Sequence, residues 1–168
     1  MPVEPDFELN SEILDAFANL VRKGLNLTDV AGSYDSDIDA MAASQDAPHV
    51  PTTVRDVLRL IGTRPGPYEL VAGSLGVSAV GKAYKRLALE LLNSLPPDAM
   101  KLTNPDQMFI VAVFESEMFT IIDGSELSHP NPPVWTLHGD YKLVKRWPSV
   151  TEWFSEVSRG VARNLHEH

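Results

Sequence analysis

The sequence has no cysteine, which rules out disulfides, thiolate nucleophiles and cysteine metal ligands and suits a reducing compartment such as the cytoplasm. No apolar run approaches the ~20 residues that span a bilayer. The opening MPVEPDFELN has neither the basic start nor the apolar centre of a secretory signal. A cytoplasmic chain without a membrane partner is expected. The glycines of GSLGVSAVG lack both the lysine-serine ending of a phosphate-binding loop and the spacing of a dinucleotide fingerprint, so the stretch is read as a flexible connector. The histidines, His49, His129, His138, His166 and His168, show no zinc-type spacing, and no serine sits in a nucleophile elbow. No catalytic residue, cofactor or metal is therefore expected, and the chain is read as non-enzymatic.

Basic charge is also scarce. Fourteen lysines and arginines face 23 acids, for a net charge of −9. Phosphate contacts need a cationic surface, so nucleic acid is not an expected partner, whereas a basic protein is. The imbalance is local: residues 1–50 carry ten acids and two bases, the remainder thirteen and twelve.

What is present, over 168 residues, is the patterning of one α+β domain. Asn10 or Ser11 can cap a helix with Ile13, Leu14, Phe17 and Val21 on one face, ended by Gly24. Ala31 to His49 is small and acidic and reads as a surface connection. Asp35, Asp37 and Asp39 begin like a calcium loop, but Ala40 stands where the sharp turn needs glycine, so the segment is read as solvated. After Pro51, with Thr52 or Thr53 as cap, Val54, Val57, Leu58 and Ile61 recur at helical spacing up to Gly62. Tyr68 to Ala72 reads as a short strand. From Val80 a helix carries a stripe of Tyr84, Leu87, Ala88, Leu91, Leu92 and Leu95, with Lys82, Lys85 and Arg86 as its solvated side, and Pro96-Pro97 stops it.

The chain is organised around Met108 to Val157. MFIVAVF is apolar in both parities, as a strand covered on both faces would be, and EMFTIID is its hairpin partner through Glu115 to Glu117. HPNPP forces an extended approach to a third strand, Val134 to Leu137; a turn follows, then a strand from Tyr141 to Arg146. Ser149 with Glu152 forms a capping box before Trp153, Phe154, Val157 and Val161. Contact residues are expected at the hairpin tip and exit turn, Glu115, Glu117, Asp123 and Glu126, because these acids lie on connections held by a sheet. Trp135 divides evenly between sheet face and interface.

The order of these elements resembles the SUKH superfamily. The resemblance rests on Val50-Pro51 leading into VRDVLRLIG, the Phe- and Ile-rich hairpin, Asn131-Pro132-Pro133-Val134-Trp135, and Trp147-Pro148-Ser149 leading into Glu152-Trp153-Phe154, and it spans roughly residues 50–158. It implies an α+β fold with a mixed, bent sheet of about six strands packed by about four helices. The chain would divide into residues 1–49 as helix and acidic connector, 50–160 as the SUKH-like domain and 161–168 as a tail. It also implies an immunity protein that binds and neutralises a cognate toxin, with a basic nucleic-acid-acting toxin suiting the acidic charge. The alternative is an intracellular scaffold or secretion chaperone that holds a peptide on the same sheet.

Overall fold

The computed structural model describes residues 8–166, so the acidic opening MPVEPDF and the last two residues lie outside it. Among the described residues, the α-helices are α1 (Ser11–Arg22), α2 (Asp35–Ser44), α3 (Thr52–Ile61), α4 (Tyr68–Ala72), α5 (Lys82–Asn93) and α6 (Val150–His166). The strands are β1 (Ser74–Leu75), β2 (Phe109–Phe114), β3 (Met118–Ile122), β4 (Val134–His138) and β5 (Lys142–Trp147).

Asn10 caps α1, its side-chain oxygen accepting from the N–H groups of Glu12 and Ile13 at 2.9 and 3.2 Å. At the other end Gly24 takes φ +114°, so the Leu25 N–H reaches back to the Leu20 carbonyl at 2.9 Å and the helix stops with both leucines buried. Leu14, expected on the buried face, is exposed.

Three segments between α1 and α5 differ from expectation. Residues 35–44 are helix α2 and not a loose connection: Ile38, Met41, Ala42 and Gln45 are buried at the i, i+3, i+4, i+7 spacing of a helix face. Tyr68–Ala72 is one turn of helix and not a strand, because Pro65 and Pro67 precede it, where a missing N–H costs nothing. The supposed connector after it contains β1, whose Ser74 and Leu75 pair antiparallel with Val113 and Ala112. Gly73 is required there: at φ +89°, an added Cβ would fall 2.4 Å from the Val113 carbonyl oxygen. In α3, Val54, Val57, Leu58 and Ile61 are buried as expected, but Thr53 does not cap; its hydroxyl donates to the Pro130 carbonyl at 2.8 Å.

The sheet has the order β1-β2-β3-β4-β5, five strands against about six expected, and every pairing is antiparallel, so the expectation of a mixed sheet is corrected. The reason lies in the connections. Three residues separate the paired ends of β2 and β3 (Phe114, Met118) and of β4 and β5 (His138, Lys142), and such short turns can only reverse the chain. Every residue from Phe109 to Val113 is buried, so both faces of β2 are covered. Tyr84 of α5 meets Phe119 edge-on at 6.3 Å, placing α5 on the face that also carries Ile121, Leu137 and Leu143 by register. The opposite face is left to the helices around α6, which touches α1, α3, α4 and β5. Within that layer Tyr68 stacks on Phe154 at 5.3 Å and its hydroxyl meets Ser158 at 3.0 Å.

The Ser149 hydroxyl accepts from the Glu152 N–H at 3.2 Å, and Asn131, from the proline-rich approach, holds Thr151 from both sides of its amide. The core runs from Ile13 to Ala162, and residues 161–166, expected as a tail, continue α6.

Candidate functional site

The β2–β3 and β4–β5 turns lie side by side at one end of the sheet, joined by the Gly139 N–H, which donates to the Glu117 carbonyl at 2.6 Å. The first turns at two central residues that both take positive φ, a geometry suited to Asn-Gly. Here Glu115 has φ +51° and Ser116 +59°, closed by the Glu117 N–H on the Phe114 carbonyl at 3.0 Å. The second leaves three residues between the paired His138 and Lys142, a length whose last residue takes the left-handed region and favours glycine. That residue is Tyr141, at φ +67° and 51% exposed, not the first residue of the strand as expected. Each such residue costs about 1–2 kcal/mol, a burden that persists where the side chain is wanted.

The two turns enclose a cleft of about 380 Å³ lined by Phe114, Glu115, Glu117, Met118, His138, Gly139 and Asp140. Phe114, Met118 and His138 share one sheet face through the pairs Phe114↔Met118 and Met118↔His138, and all three are half-buried. Glu115, Glu117 and Asp140 are exposed around them. A floor of Phe114 and Met118, with the His138 imidazole at its edge and an acidic rim, suits the side chain of lysine or arginine, whose stem is apolar and whose head is charged.

The expected contact residues do not come together. Glu115 and Glu117 stand on this cleft, whereas Asp123 and Glu126 lie at the other end of β3, about 20 Å away at ~3.3 Å per residue. Asp123 is moreover buried, not a solvent-facing turn charge. Its carboxylate accepts from the N–H groups of Thr103 at 2.8 Å, Asn104 at 2.9 Å and Ser125 at 3.2 Å. It holds the chain before β2 against the chain after β3. Glu126 is half-buried in the short turn that Asp123 caps. Trp135 is 6% exposed and belongs to the sheet face beside Ile121, with the Lys145 ammonium 5.8 Å above its ring.

Of the acids that begin like a calcium loop, Asp35 and Asp39 are already engaged. Asp35 accepts from Arg59 through Nε at 3.0 Å and a terminal nitrogen at 2.9 Å, and from Arg55 at 3.1 Å; Asp39 accepts from Arg55 at 2.6 Å. The Arg59 guanidinium holds the Asp35 carboxyl below the usual carboxylate range. Asp56 of α3 is buried, accepting from Arg59 at 3.2 Å and from the Asn10 N–H at 2.9 Å. Thus Asp35 and Asp39 clamp α2 to α3, and no metal-ligating cluster occurs among the described residues.

Lys85, expected in solvent, is 4% exposed. Its ammonium donates to the main-chain carbonyls of Gln45 and, at 2.7 Å, Met108, and burial pulls its pKa down to about 8 against the attraction of Asp46 and Asp106. The Gln45 side chain pairs with both backbone groups of Ile110, accepting from its N–H at 2.7 Å and donating to its carbonyl at 3.1 Å. It thus supplies the pairing that the two-residue β1 is too short to give. Both acceptors of Lys85 are main-chain carbonyls, so its geometry is that of a strut.

Sequence patterning missed Tyr141 and Asp140; the three-residue loop length, legible once the β4–β5 register is fixed, is the signal that finds them. The fold is an α+β domain with a five-stranded antiparallel sheet, and no helix of the described residues is long and apolar enough to cross a membrane. Compared with protein-family models, curated proteins and solved structures, the chain matches none.

Proposed function

We infer that this is a protein-binding domain of SUKH type, an immunity protein that neutralises a basic toxin by taking a lysine or arginine side chain into the cleft between the two hairpin tips. The observation that carries the inference is the cleft itself. It has a floor of Phe114 and Met118 and three exposed acids, held on turns whose backbone would prefer glycine or asparagine, and the exposed Tyr141 follows Asp140 in the chain just outside its lining. Tyrosine supplies contact area at low entropic cost, and acids around it speed encounter with a cationic surface. Occupying a basic nucleic-acid cleft in this way would exclude its substrate.

The test is co-expression with the product of the adjacent gene, followed by pull-down at low and high salt. Glu115→Lys, Glu117→Lys and Asp140→Lys together should abolish capture at low salt, and Tyr141→Ala should shorten the lifetime of the complex. Capture unchanged in both variants at low salt would remove the hairpin tips from the interface.

A further inference from the structure

We propose that the free edge of β5 is a separate docking site, which takes an extended acidic segment of another protein as a sixth strand. β5 is the last strand of the sheet and pairs only with β4 among the described residues. Alternate residues of a strand turn their backbone groups to opposite sides, so half of those in β5 have no neighbouring strand. Lys142, Val144, Lys145 and Arg146 are all exposed along it. In a chain of net charge −9 this is a concentrated basic strip. No described carboxylate lies within ion-pair distance of Lys145 or Arg146; Lys142 has Asp140 at 3.9 Å.

The second observation is Trp135, on β4 opposite Lys145. Its indole Nε1 is buried with no acceptor among the described residues, and the Lys145 ammonium lies over its ring. A buried donor without a partner is costly, and Lys145 is an exposed, flexible cover. A carboxylate arriving on the edge draws Lys145 toward itself, and an oxygen of the incoming segment can then accept from the indole N–H. Charge selects the occupant. A second copy of β5 would set Lys142, Lys145 and Arg146 against their own equivalents, whereas a segment with acids at alternate positions turns its carboxylates all to one face and can set them beside Lys145, on the face that carries Trp135.

The test titrates the isotope-labelled chain with acetyl-Glu-Val-Glu-Val-Glu-Val-amide and with its Lys-Val counterpart, observing amide and indole resonances. The acidic peptide should shift the Trp135 indole N–H, slow amide exchange along 142–146 and bind about tenfold or more tightly than the basic one. Lys145→Glu with Arg146→Glu should abolish the difference, and Trp135→Phe should weaken binding about threefold while the exchange protection remains. Equal binding of the two peptides, shifts confined to the turns, or no shift at millimolar peptide would each overturn the proposal. Glu115→Lys with Glu117→Lys should leave the acidic peptide bound, so failure here and failure at the hairpin tips are separate results.

Discussion

At one end of β3, Glu115 and Glu117 point into water from a turn their residue types do not favour; at the other, Asp123 is buried and satisfies three backbone N–H groups. In the sequence both ends read alike, as an acid in a turn flanking a strand. What separates them is the supply of donors. The loop of Thr103 and Asn104 folds back onto the Asp123 end, bringing N–H groups that must be paired if buried. The Glu115 end meets only the neighbouring hairpin. One end holds the fold together, and the other is presented by it.

Replacing the buried acid should break this contrast most sharply. Asp123→Ala leaves three N–H groups without their acceptor, and hydrogen bonds to a charged group are the stronger kind, so a loss of about 3 kcal/mol in unfolding free energy is expected by denaturant titration. Asp123→Asn keeps one acceptor oxygen and should lose roughly half of that. A loss below about 0.5 kcal/mol, the range of ordinary surface changes, would place Asp123 with the solvated acids after all.

The lysines repeat the contrast. Lys85, expected in solvent, is a buried strut, whereas Lys145 is an exposed cover on Trp135. Their response to pH should differ. The Lys85 pKa falls to about 8 in the fold from 10.5, so between these values the unfolded chain holds a proton that the folded chain has released. Stability from this group therefore rises with pH, by about 2 kcal/mol from pH 8 to pH 10. Burial shifts the Tyr68 hydroxyl upward and gives the opposite slope at higher pH, so the measurement is the difference between the wild type and Lys85→Met across that range. A difference that stays flat would mean that Lys85 keeps its ordinary pKa in the fold.

Most of the frame was legible because apolar residues repeat at the right period. The strands from Met108 onward, the α3 face of Val54, Val57, Leu58 and Ile61, and the Ser149 cap need only that. Helix α2 was hidden because its buried face is made of small and polar residues: Ala42 scores weakly as core, and Gln45 enters it only because Ile110 offers an N–H and a carbonyl from β2, 65 residues away. Lys85 and Asp56 are buried for the same kind of reason, since their partners come from distant segments. Part of the cleft was legible, as the acids Glu115 and Glu117. The neighbouring Tyr141 was not, because its left-handed backbone is set by which residues of β4 and β5 face each other, and a strand pattern that begins one residue early conceals it.

A gentler change sharpens the comparison from the exposed end. Glu115→Asn with Ser116→Gly places the preferred pair in the β2–β3 turn and should raise unfolding free energy by about 1 kcal/mol while weakening capture of a basic partner. A variant that gained stability and bound as well would show that the strained turn serves no interface.

The smallest effect is expected from removing charge alone. Glu115→Ala with Glu117→Ala keeps the positive-φ backbone and deletes two exposed carboxylates for which the described residues supply no ion-pair partner. Stability should change by less than about 0.5 kcal/mol, because water already solvates both groups. The informative quantity is therefore salt dependence. In the wild type the rate of association with a basic partner should fall steeply as ionic strength rises, and in the double variant the slope should flatten while dissociation slows or quickens little, since rim charges act on encounter. Unaltered slopes would assign the steering to acids elsewhere, with Asp37 beside the exposed Tyr34 on α2 as the next place to mutate.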